Sequence, residues 1–197
     1  MKLKTLLKCA KEDKSMTLLD EVDEEGMIAR QYVMLNGRAV FPLDGMPLMN
    51  EAQLMTMMDI PLDEQGGWNT VRAQMDAKLK LMMLDFRSSD IAARIGWTGI
   101  AMNGMVVRPV FTDAVHGKIG FVDNELLKVL ADKRDLDVYE RRIDGSRVYV
   151  MMEGMCNVGC LMPTVAHWTE KHAQELAEVA REAQRVYLNW RAENAHS

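Results

Sequence analysis

The chain has 197 residues and a mass of 22.4 kDa, enough for one ordinary domain or two small ones with a sizeable core. Lys and Arg total 24 against 29 Asp and Glu, and the formal charge of −5 argues against a general affinity for nucleic-acid phosphates while leaving room for local basic patches. Three cysteines (Cys9, Cys156, Cys160), an apolar start interrupted by Lys8 and Lys11, and no run of about 18 apolar residues set the expectation of a soluble, reduced, cytoplasmic protein without a secretory leader.

The first predicted element is a short amphipathic helix. Leu3, Leu6, Leu7 and Ala10 recur at helical spacing, with Lys2, Lys4, Lys8 and Lys11 on the opposite side. Such a helix either packs on its own domain or lies on an anionic surface, and its apolar stripe is too narrow for firm membrane anchoring. An acidic cluster follows, Asp20, Glu21, Asp23, Glu24 and Glu25, ending at Gly26. It lacks the alternating oxygen ligands and distant Glu of a calcium loop, so it reads as a solvated turn or as an imitation of phosphates facing a basic groove.

Ile28 to Pro42 reads as two strands around Asn36-Gly37, a dipeptide suited to a type I′ hairpin. Val33 to Pro42 aligns without gaps on Ile100 to Pro109, with Asn, Gly, Val and Pro in common. Asn50 precedes a helical run through Leu54, Met57 and Met58, as Asp123 precedes Leu126, Leu127 and Leu130. Longer helical patterns then cover Val71 to Leu84 and Trp168 to Trp190. The expectation is an α+β fold of antiparallel hairpins packed on helices, in two tandem related units over 1–87 and 88–197, held within one compact domain or as two. The long carboxy-terminal helix offers a stripe that folds back on its own sheet or docks a second copy of the chain.

At the junction, Ser88-Ser89-Asp90 before Ile91 to Gly96 predicts a short capped helix. Residues 89–107 could open a DNA-reading helix-turn-helix, but the second helix would have to carry Gly99 and Gly104 and lacks cations. From Phe121 to Pro163 the period changes cleanly. A helix capped by Asp123 gives way to a strand through Val138, an Asp144-Gly145 turn, and a second strand through Val148 and Val150 that closes at Cys160-Leu161-Met162-Pro163. The order of hairpin, helix, hairpin and final strand over Ile100 to Pro163 looks somewhat like the repeating module of sliding clamps, although the basic inner helices that such a module turns toward DNA are not evident in it.

Chemical signatures are sparse. Cys156 and Cys160 could hold a metal only with Cys9, His116, His167 or His172 completing the set, and in an extended strand their sulfurs stand about 13 Å apart. His167 and His172 are about 140° apart around one helix axis and do not converge. No nucleophile elbow and no phosphate loop is present, and no cofactor is expected.

Functionally, the acidic balance, the 18 methionines, which could make a mouldable apolar surface or merely fill the core, and the missing chemistry point to a non-enzymatic interaction module. Its specific form is an acidic inhibitor or accessory factor of phage or mobile-element type, docking through Asp20, Glu21, Asp23, Glu24 and Glu25 on a basic nucleic-acid-processing enzyme such as a CRISPR nuclease or its nucleoprotein complex, without direct nucleic-acid binding. The alternatives are a thiol- or metal-dependent enzyme or module built on Cys156 and Cys160, and a DNA-binding regulator using residues 89–107.

Overall fold

A computed structural model describes residues 1–102, 104–112, 118–133, 135–165 and 168–194. The chain opens with α1 (Leu3–Asp13), β1 (Ser15–Val22), β2 (Ile28–Leu35), β3 (Ala39–Pro42), α2 (Glu51–Met57), α3 (Leu62–Gln65), β4 (Asn69–Gln74) and α4 (Ala77–Met83). It continues through β5 (Ile91–Ile95), β6 (Ile100–Met102), β7 (Met105–Thr112), β8 (Lys118–Asp123) and α5 (Asn124–Lys128). It ends with β9 (Leu136–Ile143), β10 (Ser146–Glu153), β11 (Cys156–Leu161), a 3-10 turn at Glu170–His172 and α6 (Ala173–Asn194).

The strands form one mixed sheet of 11 in the order β4-β1-β2-β3-β11-β10-β9-β5-β7-β6, with β8 on the remaining edge of β7. About the β3–β11 seam the order is symmetric over three strands on each side. The unit α1-β1-β2-β3 and the unit α5-β9-β10-β11 each run as a helix followed by three antiparallel strands. They meet where β3 pairs with β11, Val40 opposite Cys160 and Ala39 opposite Leu161. The two helices lie antiparallel on the same face: the Lys2 N–H at the start of α1 donates to Val129 O just beyond α5 (2.8 Å), and Lys8 reaches Glu125 near the start of α5 (2.9 Å). The chain is α+β as expected.

Local signals account for much of this. Asn36 and Gly37 have φ of 43° and 68°, Asp144 and Gly145 of 48° and 76°, so both hairpins turn in the left-handed region that Asn-Gly and Asp-Gly supply. Asn50 and Gln53 form a reciprocal capping box at α2, and the Asp123 carboxylate accepts from the Glu125 N–H at α5. The Asn103-Gly104 turn of the aligned second hairpin includes a residue outside the described ones.

The hairpin β6-β7 lies outside the two helix-and-three-strand units, in which α5 takes the place of α1. Three expectations need correction. Val71 to Leu84 is not one helix, because the edge of β1 takes up β4 in parallel (Thr17 opposite Val71), and α4 starts afresh at Asp76, whose carboxylate accepts from the Leu79 N–H (2.7 Å). Ile91 to Ile95 is a strand, since β9 and β7 bond its two edges, and Asp90 spends its carboxylate elsewhere. The stretch from β9 to Pro163 holds three strands rather than two, Gly154 (φ 63°) providing a further turn before β11.

Three apolar clusters fill the two faces. The largest lies between the sheet and the helices α1, α2 and α5 and includes Leu6, Phe41, Leu54, Leu126, Tyr149 and Leu161. On the opposite face α4 buries Met82 and Met83 against Val148, Val150, Met152 and Cys160. The stripe of α6, with Val179 and Ala183, covers Ile100, Val107 and Phe111. Methionine is mainly interior filler, as its flexible side chain allows; Met27 and Met155 are the exposed ones.

The β7–β8 hairpin curls over the helix-bearing face, so that a Cβ on Gly120 would stand 1.7 Å from Tyr149 Oη and 2.9 Å from its Cζ. Gly120→Ala is therefore expected to destabilise the protein by about 3 kcal/mol in urea unfolding, the upper range for overpacking. Tyr149→Phe, which removes a buried hydroxyl without a hydrogen-bond partner among the described residues, should recover part of that loss in the double variant. A Gly120→Ala protein as stable as wild type would contradict this packing.

Candidate functional site

The segment between α4 and β5 is held by one buried arginine. Arg141 Nε and Nη2 donate to the two oxygens of Asp90 (2.9 and 2.6 Å), and both side chains are excluded from solvent, at 1% and 0% exposure. The remaining N–H groups of Arg141 donate to the carbonyls of Leu81, Met82, Leu84 and Asp85 at 2.7–3.1 Å. Asn157 of β11 adds bonds from its Nδ2 to Met82 O and Leu84 O and from its N–H to Asp85 Oδ1. The planar guanidinium thus serves as a template around which the chain turns.

This segment exposes Leu84 and Phe86 among the polar Asp85, Ser88 and Ser89, and Met155 of the β10–β11 turn stands beside it. Leu84, Phe86 and Met155 are 45%, 40% and 65% exposed, Phe86 stands edge-on to Tyr139 at 5.4 Å, and the Phe86 N–H donates to Met155 O. Beyond Tyr139 the surface falls into a cleft. β5 pairs with β9 over three residues, from Ile91 opposite Glu140 to Ala93 opposite Val138. Arg94 and Ile95 then follow β7, while Leu136 and Asp137 stay with β10, so the strands part. The gap, about 450 Å³, is lined by Leu127, Leu130, Leu136, Val138, Met151 and Trp190, with Ala92, Arg94, Asp137 and Tyr139 also on its wall. Arg94 is fixed by Glu193 (2.8 Å) and lies 5.2 Å over the Trp190 ring.

A second feature is electrostatic. The apolar side of α1 is consumed, Leu6, Cys9 and Ala10 being buried, which leaves Lys4, Lys8 and Lys11 in one exposed stripe within about 60° of each other around the axis. Lys128 adds to it across Glu125, whose carboxyl is held below its usual range by hydrogen bonds from Lys128 and then Lys8. Lys2 and Lys14 flank the helix and are exposed, and its last turn carries the exposed Glu12 and Asp13, both within reach of Arg38.

The acidic cluster is divided by the fold. Asp20 is buried in β1, accepting from Gln31 Nε2 and Arg72 Nε (both 2.7 Å). Glu21 accepts from the Tyr32 hydroxyl (2.6 Å), and burial and then that bond push the Tyr32 phenol well above its ordinary range. Asp23 closes the β1–β2 turn, its Oδ1 accepting from the N–H groups of Glu25 and Met27. Glu24 and Glu25 remain exposed with no side-chain bond among the described residues.

The thiols do not converge. Cys156 is exposed at the start of β11, while Cys160 is buried under α4 and burial pushes its thiol up to about 12. Cys9 faces the core beneath α1, where burial and then the Asp123 charge raise it to about 11. Among the described residues no group of three or more His, Cys, Asp or Glu side chains could hold a metal. His172 is occupied as a cap, its Nδ1 accepting from the Thr169 N–H (3.2 Å); His116 and His167 lie outside the described residues. The buried Glu140 is flanked by Arg142 (2.9 Å) and Arg147 (3.6 Å). Among the described residues no helix is long and apolar enough to cross a membrane.

Sequence reasoning missed the cleft and its clamp, because each depends on residues far apart in the chain. Comparison with protein-family models, with curated proteins and with solved structures finds no match.

Breaking the clamp is expected to be costly. Asp90→Asn should lower the unfolding free energy by about 3–5 kcal/mol, because it strands a buried cation. Arg141→Met/Asp90→Leu should stay below wild type as well, since the carbonyls of Leu81 and Asp85 lose their side-chain donor and those of Met82 and Leu84 keep only Asn157. Equilibrium denaturation of the two variants checks both; a double variant as stable as wild type would show that the carbonyl bonds carry no weight.

Proposed function

We propose that the protein is a non-enzymatic interaction module that seats an apolar segment of a partner protein in the cleft between β5 and β9. The cleft itself carries this reading. It is a recess whose apolar side chains, Leu127, Leu130, Leu136, Val138 and Met151, share its wall with the charged Arg94 and Asp137, and its Tyr139 meets Phe86 of the linker that the buried ion pair pins. A preformed apolar pocket with a polar rim is the arrangement in which anchor residues contribute most to affinity, because little is spent on ordering it.

The acidic version of this reading, an inhibitor or accessory factor on a basic nucleic-acid-processing enzyme, rests on Glu24 and Glu25. Asp20, Glu21 and Asp23 already serve intramolecular partners, so reversing their charge would report on stability rather than docking.

Panning a random peptide library on the immobilised protein tests the cleft. Selected peptides should carry two or three large apolar residues, and Leu127→Lys and Leu136→Lys should each weaken them at least tenfold, whereas Glu24→Lys/Glu25→Lys should alter only the association rate of basic peptides. Selected peptides that bind both cleft variants as tightly as wild type would refute the assignment.

A second reading is favoured by the lysine stripe. Six ammonium groups, on Lys2, Lys4, Lys8, Lys11, Lys14 and Lys128, outnumber the three carboxylates among them, Glu12, Asp13 and Glu125, and make α1 and its flanks locally positive on a chain of net charge −5; with the apolar side of α1 buried there is nothing to insert into a bilayer. In this reading the module also touches the polyphosphate its partner processes. Binding to a 20-base-pair duplex should fall steeply between 50 and 200 mM salt, and Lys4→Glu/Lys8→Glu/Lys11→Glu should remove it; a salt-independent or unchanged affinity would dismiss the idea.

A further inference from the structure

The loop between β5 and β6 holds an indole in the open. Trp97 is 81% exposed, yet its backbone is fixed from several sides. The N–H groups of Trp97 and Thr98 both donate to the carboxylate of Glu182 on α6, and Arg108 donates to Gly96 O through Nε (2.6 Å) and Nη2. Gly96 admits no side chain, since a Cβ there would lie 2.6–2.9 Å from Pro109, Phe111 and Glu182. A large ring left in water on so constrained a loop has already lost the freedom that binding would otherwise remove.

Three guanidiniums and two carboxylates surround Trp97. The Arg108 guanidinium lies 5.9 Å from the indole centroid. A shallow cleft of about 500 Å³ beside the ring is lined by Arg181 and Arg185, one helical turn apart on α6 and both exposed. Two carboxylates share that cleft. Each oxygen of Glu182 accepts from one backbone N–H, and Glu178 is the other carboxylate on the cleft wall, against two guanidiniums in number.

We propose that this cleft binds a nucleotide, the base stacking on Trp97 and the phosphate held by Arg181 and Arg185. The chemistry selects that ligand over others. An apolar peptide would bury two guanidiniums without partners, an acidic peptide would leave the indole wet, and a quaternary amine would meet three arginines. A planar base carrying a phosphate answers both halves of the site: aromatic rings stack on bases of any identity, and guanidinium forks match phosphate oxygens. A free mononucleotide and a nucleotide within a single strand present this same chemistry.

Tryptophan fluorescence reads the site directly, because Trp68 and Trp190 are buried (8% and 9% exposed) and Trp168 is 37% exposed. Titration with thymidine monophosphate and with a twelve-residue oligothymidylate at 50 mM salt should quench it to saturation with at least one of them. Saturation by both at similar affinity identifies a free-nucleotide site; saturation by the oligomer alone identifies a strand site. For a labelled form of the ligand that binds, Trp97→Ala and Arg181→Glu/Arg185→Glu should each weaken anisotropy-monitored binding at least tenfold. Trp97→Phe, which keeps an aromatic face, should stay within threefold, and Lys4→Glu/Lys8→Glu/Lys11→Glu should leave the quenching of Trp97 in place. No saturation with either ligand, or equal binding by wild type and Trp97→Ala, overturns the proposal.

Discussion

Arg141 is the group on which the arrangement of the second half of the sheet depends. It sits at the centre of a strand, out of contact with water, and exchanges all of its solvation for one carboxylate and four carbonyls. Buried ion pairs add little net stability, since desolvation offsets most of the attraction. What this one adds is position. It sets the path of residues 81–90, hence where β5 enters the sheet, and so how few residues β5 shares with β9 before the two part. The cleft is a consequence of that short ladder, and the apolar side chains beside it stand on the backbone that the guanidinium holds.

Around that clamp the molecule is organised by a pseudo-dyad passing between β3 and β11. Each half-sheet brings its own helix, and the helices meet on one face, where α1 leaves its lysines outward. The face bearing α4 carries the linker and its exposed apolar groups. Net charge, a sum over the whole surface, conceals this division: several acidic residues are engaged in internal bonds, while three lysines share one side of α1, with Glu12 and Asp13 at its carboxy-terminal end.

How much of this was legible in the sequence follows from how local each cause is. Asn36-Gly37, Asp144-Gly145, Asn50 and Asp123 act over four residues or fewer, and hairpins and helix starts were read correctly there. β4 and β5 were read as helix because their strand character comes from neighbours that claim their edges, β1 for one, β9 and β7 for the other. Asp20 looked like one member of an exposed run, yet Gln31 and Arg72 draw it inside, and Arg141 carried no mark of its burial. The hairpin resemblance between Val33–Pro42 and Ile100–Pro109 is visible in letters, whereas the shared order of α1-β1-β2-β3 and α5-β9-β10-β11 leaves no such trace in the sequence. Neither Trp97 nor the β5–β9 cleft had a local signature, each being assembled by contacts across about a hundred residues or across separate strands.

The seam at β3 has a consequence for how the chain comes into being. Every residue of β3 is buried, and its outward partner β11 begins at Cys156, more than a hundred positions later. During synthesis the amino-terminal unit therefore emerges with a raw hydrogen-bonding rim and no neighbour to cover it, a state that invites pairing with another nascent chain. Non-local closure of this kind slows maturation. The last strand is in effect the zipper of the whole molecule, and truncation before it would leave an adhesive half-sheet rather than a smaller working domain.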